Sequence, residues 1–296
     1  MTNPKRRLPF VHIDVFTSVP LEGNQLAVFT DARGLSDQEM QSLAKEMNLA
    51  ETTFVLRRDP ATEKERGVRV RIFTVSEEMP FAGHPTLGTA MVLRGNSGAK
   101  EVALDLNVGR IPVQFSEQEG HSFGVMTQNE PQFGQKHSRE DVARATGLVP
   151  AEIADDVPIQ SISTGNNFVM VPVKSLAVLQ RLAPAWPAMH EYLKKTDGKF
   201  FYFVSRETVC PEAKMQVRMF FYNGEDPATG SAAGPCIAWA VHYKLVPPDQ
   251  QILIEQGVEL KRRSRIFARA GRDGSKIVNV RVGGHAVEVM HGEAFL

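Results

Sequence analysis

The sequence predicts an α+β protein of two similar domains, each a curved, mostly antiparallel β-sheet or barrel around a central buried helix. Three observations predict it. The chain has 296 residues, about two domains' worth on the usual prior of roughly 150 residues each. Short β-rich segments recur along most of its length. Two helical segments are apolar on nearly all sides, which marks helices buried within a domain.

The elements follow in order. Phe10 to Phe16 alternates as a first strand, and Leu26 to Thr30 is its hairpin partner, with Pro20 and Gly23-Asn24 as turn residues. In Leu35-Ser36-Asp37-Gln38-Glu39-Met40, Ser36 and Glu39 form a capping box and Leu35 and Met40 a staple. Met40, Leu43, Ala44 and Met47 then give one apolar helical face, ending near Asn48. Thr52 to Leu56 is a β-branched strand, so Glu51 stands at a helix-to-strand junction. A strand at Val68 to Phe73 leads to the first apolar helix, from Pro85, and strands follow at 101–105, 110–115 and 122–126. Asn129 to Lys136, rich in Pro, Gln and Gly, reads as a linker, placing domains at 1–128 and 129–284 with strand 285–296 a candidate to complete the first. Ser138 caps a short helix to Gly147; strands at 159–163, 168–173, 200–205 and 215–221 and helices at 175–182 and 187–195 come next. The second apolar helix spans about Thr229 to Tyr243, and antiparallel strands close the chain with Gly283-Gly284 as a hairpin turn.

The two apolar helices open on one pattern. His84-Pro85-Thr86-Leu87-Gly88-Thr89-Ala90 and Asp226-Pro227-Ala228-Thr229-Gly230-Ser231-Ala232 both read x-Pro-x-x-Gly-[Ser/Thr]-Ala. Arg71-Ile72-Phe73 precedes one and Arg218-Met219-Phe220 the other, each in a strand, which favours a duplication over coincidence. The first turn of a helix leaves N–H groups without partners and carries partial positive charge. Gly88 and Gly230 keep side chains away, and Thr89 and Ser231 add hydroxyls, so each half offers a corner for a carboxylate. The plainer reading is that Pro and Gly only shape the turn.

Three titratable residues stand out. Glu51, between Ala50 and Thr52 at the edge of an apolar strand, is partly desolvated on this reading. Desolvation raises a carboxyl pKa and suits it to take and return a proton. His84 and Asp226 occupy matching places in the two halves, facing one cleft in this scheme. Taken singly, each has a plainer reading: a surface glutamate at a strand start, a capping histidine, an N-cap aspartate.

Composition narrows the classes. Lys plus Arg and Asp plus Glu are equal at 34 each, so no bulk charge favours nucleic acid or an anionic membrane. Lys5-Arg6-Arg7 and Arg262-Arg263-Ser264-Arg265 read as solvated surface. Cys210 and Cys236 lack metal-ligand spacing, and no secretory signal or apolar span of about 20 residues is present, so a cytoplasmic protein is expected. Dinucleotide, Walker, HExxH and Gly-x-Ser-x-Gly signatures are absent. Proton-transfer chemistry on a substrate that binds as an anion is what remains.

The chain resembles the PhzF-like (phenazine biosynthesis-like) proteins, which share the diaminopimelate epimerase fold. The resemblance rests on His12-Ile13-Asp14-Val15-Phe16-Thr17, Gly23-Asn24-Gln25-Leu26-Ala27-Val28, Asn48-Leu49-Ala50-Glu51-Thr52-Thr53-Phe54-Val55 and Pro80-Phe81-Ala82-Gly83-His84-Pro85-Thr86-Leu87-Gly88. Further on it rests on Ser163-Thr164-Gly165, Gly224-Glu225-Asp226 through Gly234-Pro235, Gln256-Gly257 and Gly283-Gly284. It implies a homodimeric isomerase without cofactor or metal, acting on a small carboxylate as trans-2,3-dihydro-3-hydroxyanthranilate isomerase does. The glutamate matched by Glu51 moves the proton; His84 and Asp226, with groups matched by Gly83, Gly230 and Ser231, line the site. Ala50 stands where serine is common, and Phe221-Tyr222-Asn223-Gly224 lacks the usual Ala-Pro-Gly. Two alternatives are a two-thiol amino-acid epimerase or racemase, which the placement of Cys210 and Cys236 disfavours, and a non-catalytic binder of small anions.

Overall fold

The computed structural model describes residues 6–118, 120–221 and 224–296. The protein is mixed α+β and divides into two compact units: residues up to Thr127 with Gly283–Leu296, and Gln128–Val282. No helix among the described residues is long and apolar enough to cross a membrane.

The first unit opens with β1 (Arg7–Val15) and β2 (Asn24–Phe29), an antiparallel pair. Helix α1 (Asp37–Met47) crosses to β3 (Glu51–Leu56), which lies parallel to β2. The expected capping box is present: Ser36 Oγ accepts from Glu39 N–H at 3.3 Å, and Ser36 N–H donates to Glu39 Oε2 at 2.8 Å. Asn48, in the left-handed region at φ 51°, ends the helix. Met40, Leu43 and Ala44 bury against Phe29, Phe54 and Phe73. A short helix, α2 (Pro60–Arg66), follows that the hydrophobic pattern does not reveal, because none of its residues is buried. Asp59 caps it and proline opens it, a start signal independent of any apolar face.

Next come β4 (Val68–Phe73), antiparallel to β3, and the two-residue strand β5 (Glu78–Met79). Helix α3 (Gly83–Arg94) begins two residues before Pro85, not at it. Proline is tolerated there because N–H groups in a first turn lack intrahelical partners anyway. Residues 83–91 are all buried, and the helix packs on β1, β2 and β3 and on two later strands, β6 (Glu101–Leu106) and β8 (His121–Thr127). β6 runs parallel to β4, and β7 (Gly109–Gln118) joins β6 to β8 antiparallel to both.

The second unit does not open on a free linker. Gln132–Lys136 is a strand, β9, paired with β10 (Gln160–Ser163). Four of its five residues are exposed, so no alternation marks it in the sequence. Helix α4 (Arg139–Thr146) lies between them, capped by Ser138 and stopped by Gly147 as expected. β11 (Asn167–Pro172), α5 (Leu176–Gln180) and α6 (Trp186–Leu193) lead to β12 (Phe200–Ser205), parallel to β11. β13 (Met215–Phe221) and the two-residue β14 (Gly224–Glu225) precede α7 (Gly230–His242), whose residues 232–241 are buried. β15 (Ile252–Gln256) then runs parallel to β13, with β16 (Ser264–Asp273) antiparallel beside it.

Both units share one pairing order. An antiparallel pair is followed by a helical crossover to a parallel strand, an antiparallel partner, a two-residue strand, a second crossover on the apolar helix, and an antiparallel return. Gly283-Gly284 is not the hairpin turn expected but the end of β17 (Lys276–Gly284). A Cβ on Gly283 would lie 2.5 Å from the Gly124 carbonyl, so the glycine serves close backbone packing. The final strand, β18 (Ala286–Phe295), returns to the first unit and pairs antiparallel with the whole of β1.

Candidate active site

In the first unit the helix-to-strand junction brings Glu51 to His84. β2 sets Leu26 beside Glu51, and α3 places His84 as its second residue. His84 Nε2 lies 3.6 Å from Glu51 Oε2, and the carboxylate side chain keeps 18% exposure against 5% for the imidazole. Asn24, at the start of β2 and itself buried, meets His84 Nδ1 at 3.2 Å. When Asn24 donates there, the proton of a neutral ring sits on Nε2 and points toward Glu51. Nε2 is buried and has no hydrogen-bond partner among the described residues. Burial drives the His84 pKa down to about 3, a backbone hydrogen bond at Gln25 opposing it. The resting imidazole is therefore neutral, and its approach to Glu51 is polar contact, not an ion pair.

Gly83, the first residue of α3, is buried, and no side chain caps this helix end. Gly88 and Thr89 have other duties. Gly88 is the sixth helical residue, and a Cβ there would lie 2.7 Å from both Leu26 Cδ2 and Val15 Cγ2. Thr89 is fully buried, with its hydroxyl 2.8 Å from that of Thr53. Both hold the helix against the sheet. The reason is register: the helix starts before the repeated proline here, so these residues fall in its second turn.

In the second unit α7 starts after the proline, and Asp226 lies four residues ahead of its first residue, Gly230. The N-cap is Thr229, without a side-chain cap bond. Asp226 is buried and accepts from the Thr229 hydroxyl at 2.7 Å through Oδ2. Gly230 is buried and Ser231 half-buried at the uncapped end of the helix. Gln128 donates to the Gly230 carbonyl at 2.9 Å and accepts from Thr164 of the Ser163-Thr164-Gly165 motif. A Cβ on Gly234 would fall 1.9 Å from Gln128 Oε1, so glycine there admits that side chain. Gly257, at φ +75°, would bring a Cβ within 2.2 Å of the Arg262 carbonyl and 2.7 Å of the Pro227 carbonyl. It lets the end of β15 lie against the Asp226–Pro227 turn.

A repeated ion pair braces the approach to each helix. Arg71 of β4 grips Glu78 of β5 through Nε at 2.8 Å and Nη2 at 2.5 Å, with its guanidinium 5.1 Å over Phe73. Arg218 of β13 grips Glu225 of β14 at 2.8 and 2.6 Å and lies 4.8 Å over Phe220. Bidentate geometry makes these stiff braces, with the second pair buried and the first half-buried. Sequence reasoning passes over them and over Asn24, Thr229 and Gln256 as site residues. The signal available for the braces is the Arg-x-Phe tripeptide with glutamate seven residues after the arginine in both halves.

Cys210 and Cys236 are free thiols. Cys236 is buried inside α7, 3.8 Å from Met215 Sδ, and burial pushes its pKa up to about 12. It is no nucleophile. Tyr222 and Asn223, in the segment that departs from the expected Ala-Pro-Gly, lie outside the described residues. No group of three or more His, Cys, Asp or Glu among the described residues is set to hold a metal ion.

A buried neutral imidazole against a carboxylate, beside an uncapped helix N-terminus, suits proton transfer on an anion. The model of phenazine biosynthesis-like proteins matches residues 13–292. The chain belongs to that family. It is 38% identical to an uncharacterized isomerase of Mesorhizobium japonicum, over 96% of this chain and 97% of the other. It is 35% identical to trans-2,3-dihydro-3-hydroxyanthranilate isomerase of Pseudomonas aeruginosa, over 97% of this chain and 99% of that one. A Bacillus anthracis phenazine biosynthesis protein of the PhzF family superposes with a TM-score of 0.89 at 30% identity, covering 98% of this chain and 100% of the other. This family member is an isomerase.

Proposed function

We propose that the protein isomerises a small cyclic carboxylate related to trans-2,3-dihydro-3-hydroxyanthranilate, with Glu51 as the proton shuttle. The Glu51 carboxylate takes a proton from one substrate carbon, the electrons of that C–H bond delocalise through the substrate, and the carboxyl returns the proton at another carbon. The observation that carries this reading is the 3.6 Å approach of Glu51 Oε2 to the buried Nε2 of His84. With Asn24 donating to Nδ1, the neutral Nε2–H beside the acting carboxyl donates without competing for the proton. His84 is the further acid–base group beside Glu51 in the first unit and Asp226 is one in the second, and the helix ends at Gly83 and at Gly230 with Ser231 are each taken as an anion-binding corner of its own unit. Gly88 and Thr89 are left out of this set because both serve packing.

We further propose that the two units are copies of one ancestral domain, a curved sheet around a central helix. Support comes from the shared pairing order and from the paired braces Arg71–Glu78 and Arg218–Glu225. The function is tested by assaying Glu51→Gln on a panel of dihydroanthranilate-type and other cyclic amino or hydroxy acids. A loss of about 10²–10⁴-fold in kcat is expected for a positioned acid–base group, and wild-type turnover by the variant refutes the assignment.

A further inference from the structure

Gln256, at the end of β15, is fully buried. Its amide lies between two backbone groups whose roles are fixed. The Thr229 N–H only donates, and it meets Gln256 Oε1 at 2.9 Å. The Asp226 carbonyl only accepts, and it meets Gln256 Nε2 at 2.7 Å. Together they determine which end of the amide is oxygen and which is nitrogen. The second proton of Nε2 goes to Thr229 Oγ1 at 2.9 Å. A hydroxyl that accepts there sends its own single proton elsewhere, and its acceptor is Asp226 Oδ2 at 2.7 Å. The Tyr202 hydroxyl, also fully buried, donates to Gln256 Oε1 at 3.4 Å and secures the amide from the other side.

We infer that Gln256 and Thr229 are positioning residues: their one-way relay holds Oδ2 of Asp226 as a hydrogen-bond acceptor, so that a proton exchanged by this carboxyl rides on Oδ1. The inference rests on the reading of Asp226 as a site residue and says how that residue is oriented. It also gives the Gln256-Gly257 pair a joint task. The glutamine sets the polarity, and the glycine lets the strand end come close enough to the Pro227 turn to do so.

Described elements around Asp226 carry titratable or charged groups. Tyr202 of β12 and Cys236 of α7 stay neutral, both pushed up by burial. Arg218 of β13 is paired with Glu225 of β14 and lies 3.8 Å from Glu259, just beyond β15. Replacing Thr229 alters none of them directly.

The test follows the Asp226 carboxyl carbon by ¹³C NMR through a pH titration in wild type, Thr229→Ser and Thr229→Val, with Asp226→Asn for assignment. Removing a hydroxyl that donates to the ionised form raises that form's energy. Thr229→Val should titrate about one pH unit higher, a tenfold change in the ionisation constant, and lose about tenfold in kcat with KM within about twofold. Thr229→Ser, which keeps the hydroxyl, should titrate with wild type. An unshifted Val variant, or a Ser variant shifted as far as Val, overturns the relay. If Thr229→Val does not fold, the wild type decides. Its Thr229 hydroxyl proton should exchange slowly and show contact with the Asp226 carboxyl carbon, and rapid exchange overturns the relay. Full turnover by Asp226→Asn would overturn the catalytic reading of Asp226 alone, leaving the titration to judge the relay.

Discussion

At the scale of single residues, the site turns on a histidine that burial keeps uncharged. His84 titrates near 3 in the folded protein, against about 6.5 for an unburied histidine. Between those values the unfolded chain binds a proton that the folded protein refuses. Stability is therefore whole above about pH 6.5 and falls as the pH drops toward 3, by up to about 1.4 kcal/mol per pH unit. His84→Gln, which has no such proton to bind, should flatten this part of the profile. Urea unfolding at pH 7 and pH 5.5 measures it, and an equal pH dependence in both proteins would contradict it. Much of this candidate site was legible in the sequence, because Glu51 stands three residues after the Asn48 helix stop and precedes a β-branched run. His84 and Asp226 stood out by their place in the repeat. Asn24 did not, since its partner lies 60 residues away and nothing local marks the contact.

At the scale of elements, the two apolar helices announce themselves because a helix without a polar face has to be enclosed. Where each begins was less legible. The same seven-residue pattern enters the helix before its proline in α3 and after it in α7, so Gly88 packs where Gly230 opens a helix. Helix α2 and strand β9 escaped because both are largely exposed and carry no apolar period. The turn before α7 depends on Gly257, whose positive φ and backbone neighbours leave no room for a side chain. Gly257→Ala should cost more than about 2 kcal/mol, from left-handed strain and from contacts with carbonyls that cannot rotate away. Chemical denaturation gives the value, and a change under about 0.5 kcal/mol would show that the turn tolerates a Cβ.

At the scale of the whole molecule, a single pairing order used twice explains why short, irregular strands assemble into two well-filled units. The shared helix motif pointed to the matching pairing order of the two halves, and the strand alternation made the sheets legible. That the last strand closes the first unit was only a candidate reading, because its partner β1 stands nearly three hundred residues earlier in the chain. Deleting residues 286–296 leaves β1 with an unpaired edge along its length. Hydrogen exchange should then show protection lost in residues 6–127 and kept in 128–282, and equal protection in the shortened and full chains would contradict this. The activity of the complete protein bears on the central claim, that one carboxyl moves one proton between two carbons. Turnover in deuterated water, read by NMR at the substrate carbons, tests it most directly. Wild type should give isomerised product with deuterium at the carbon that gains a proton, and Glu51→Gln should give neither product nor label. Labelled product formed equally fast by the variant would contradict the account.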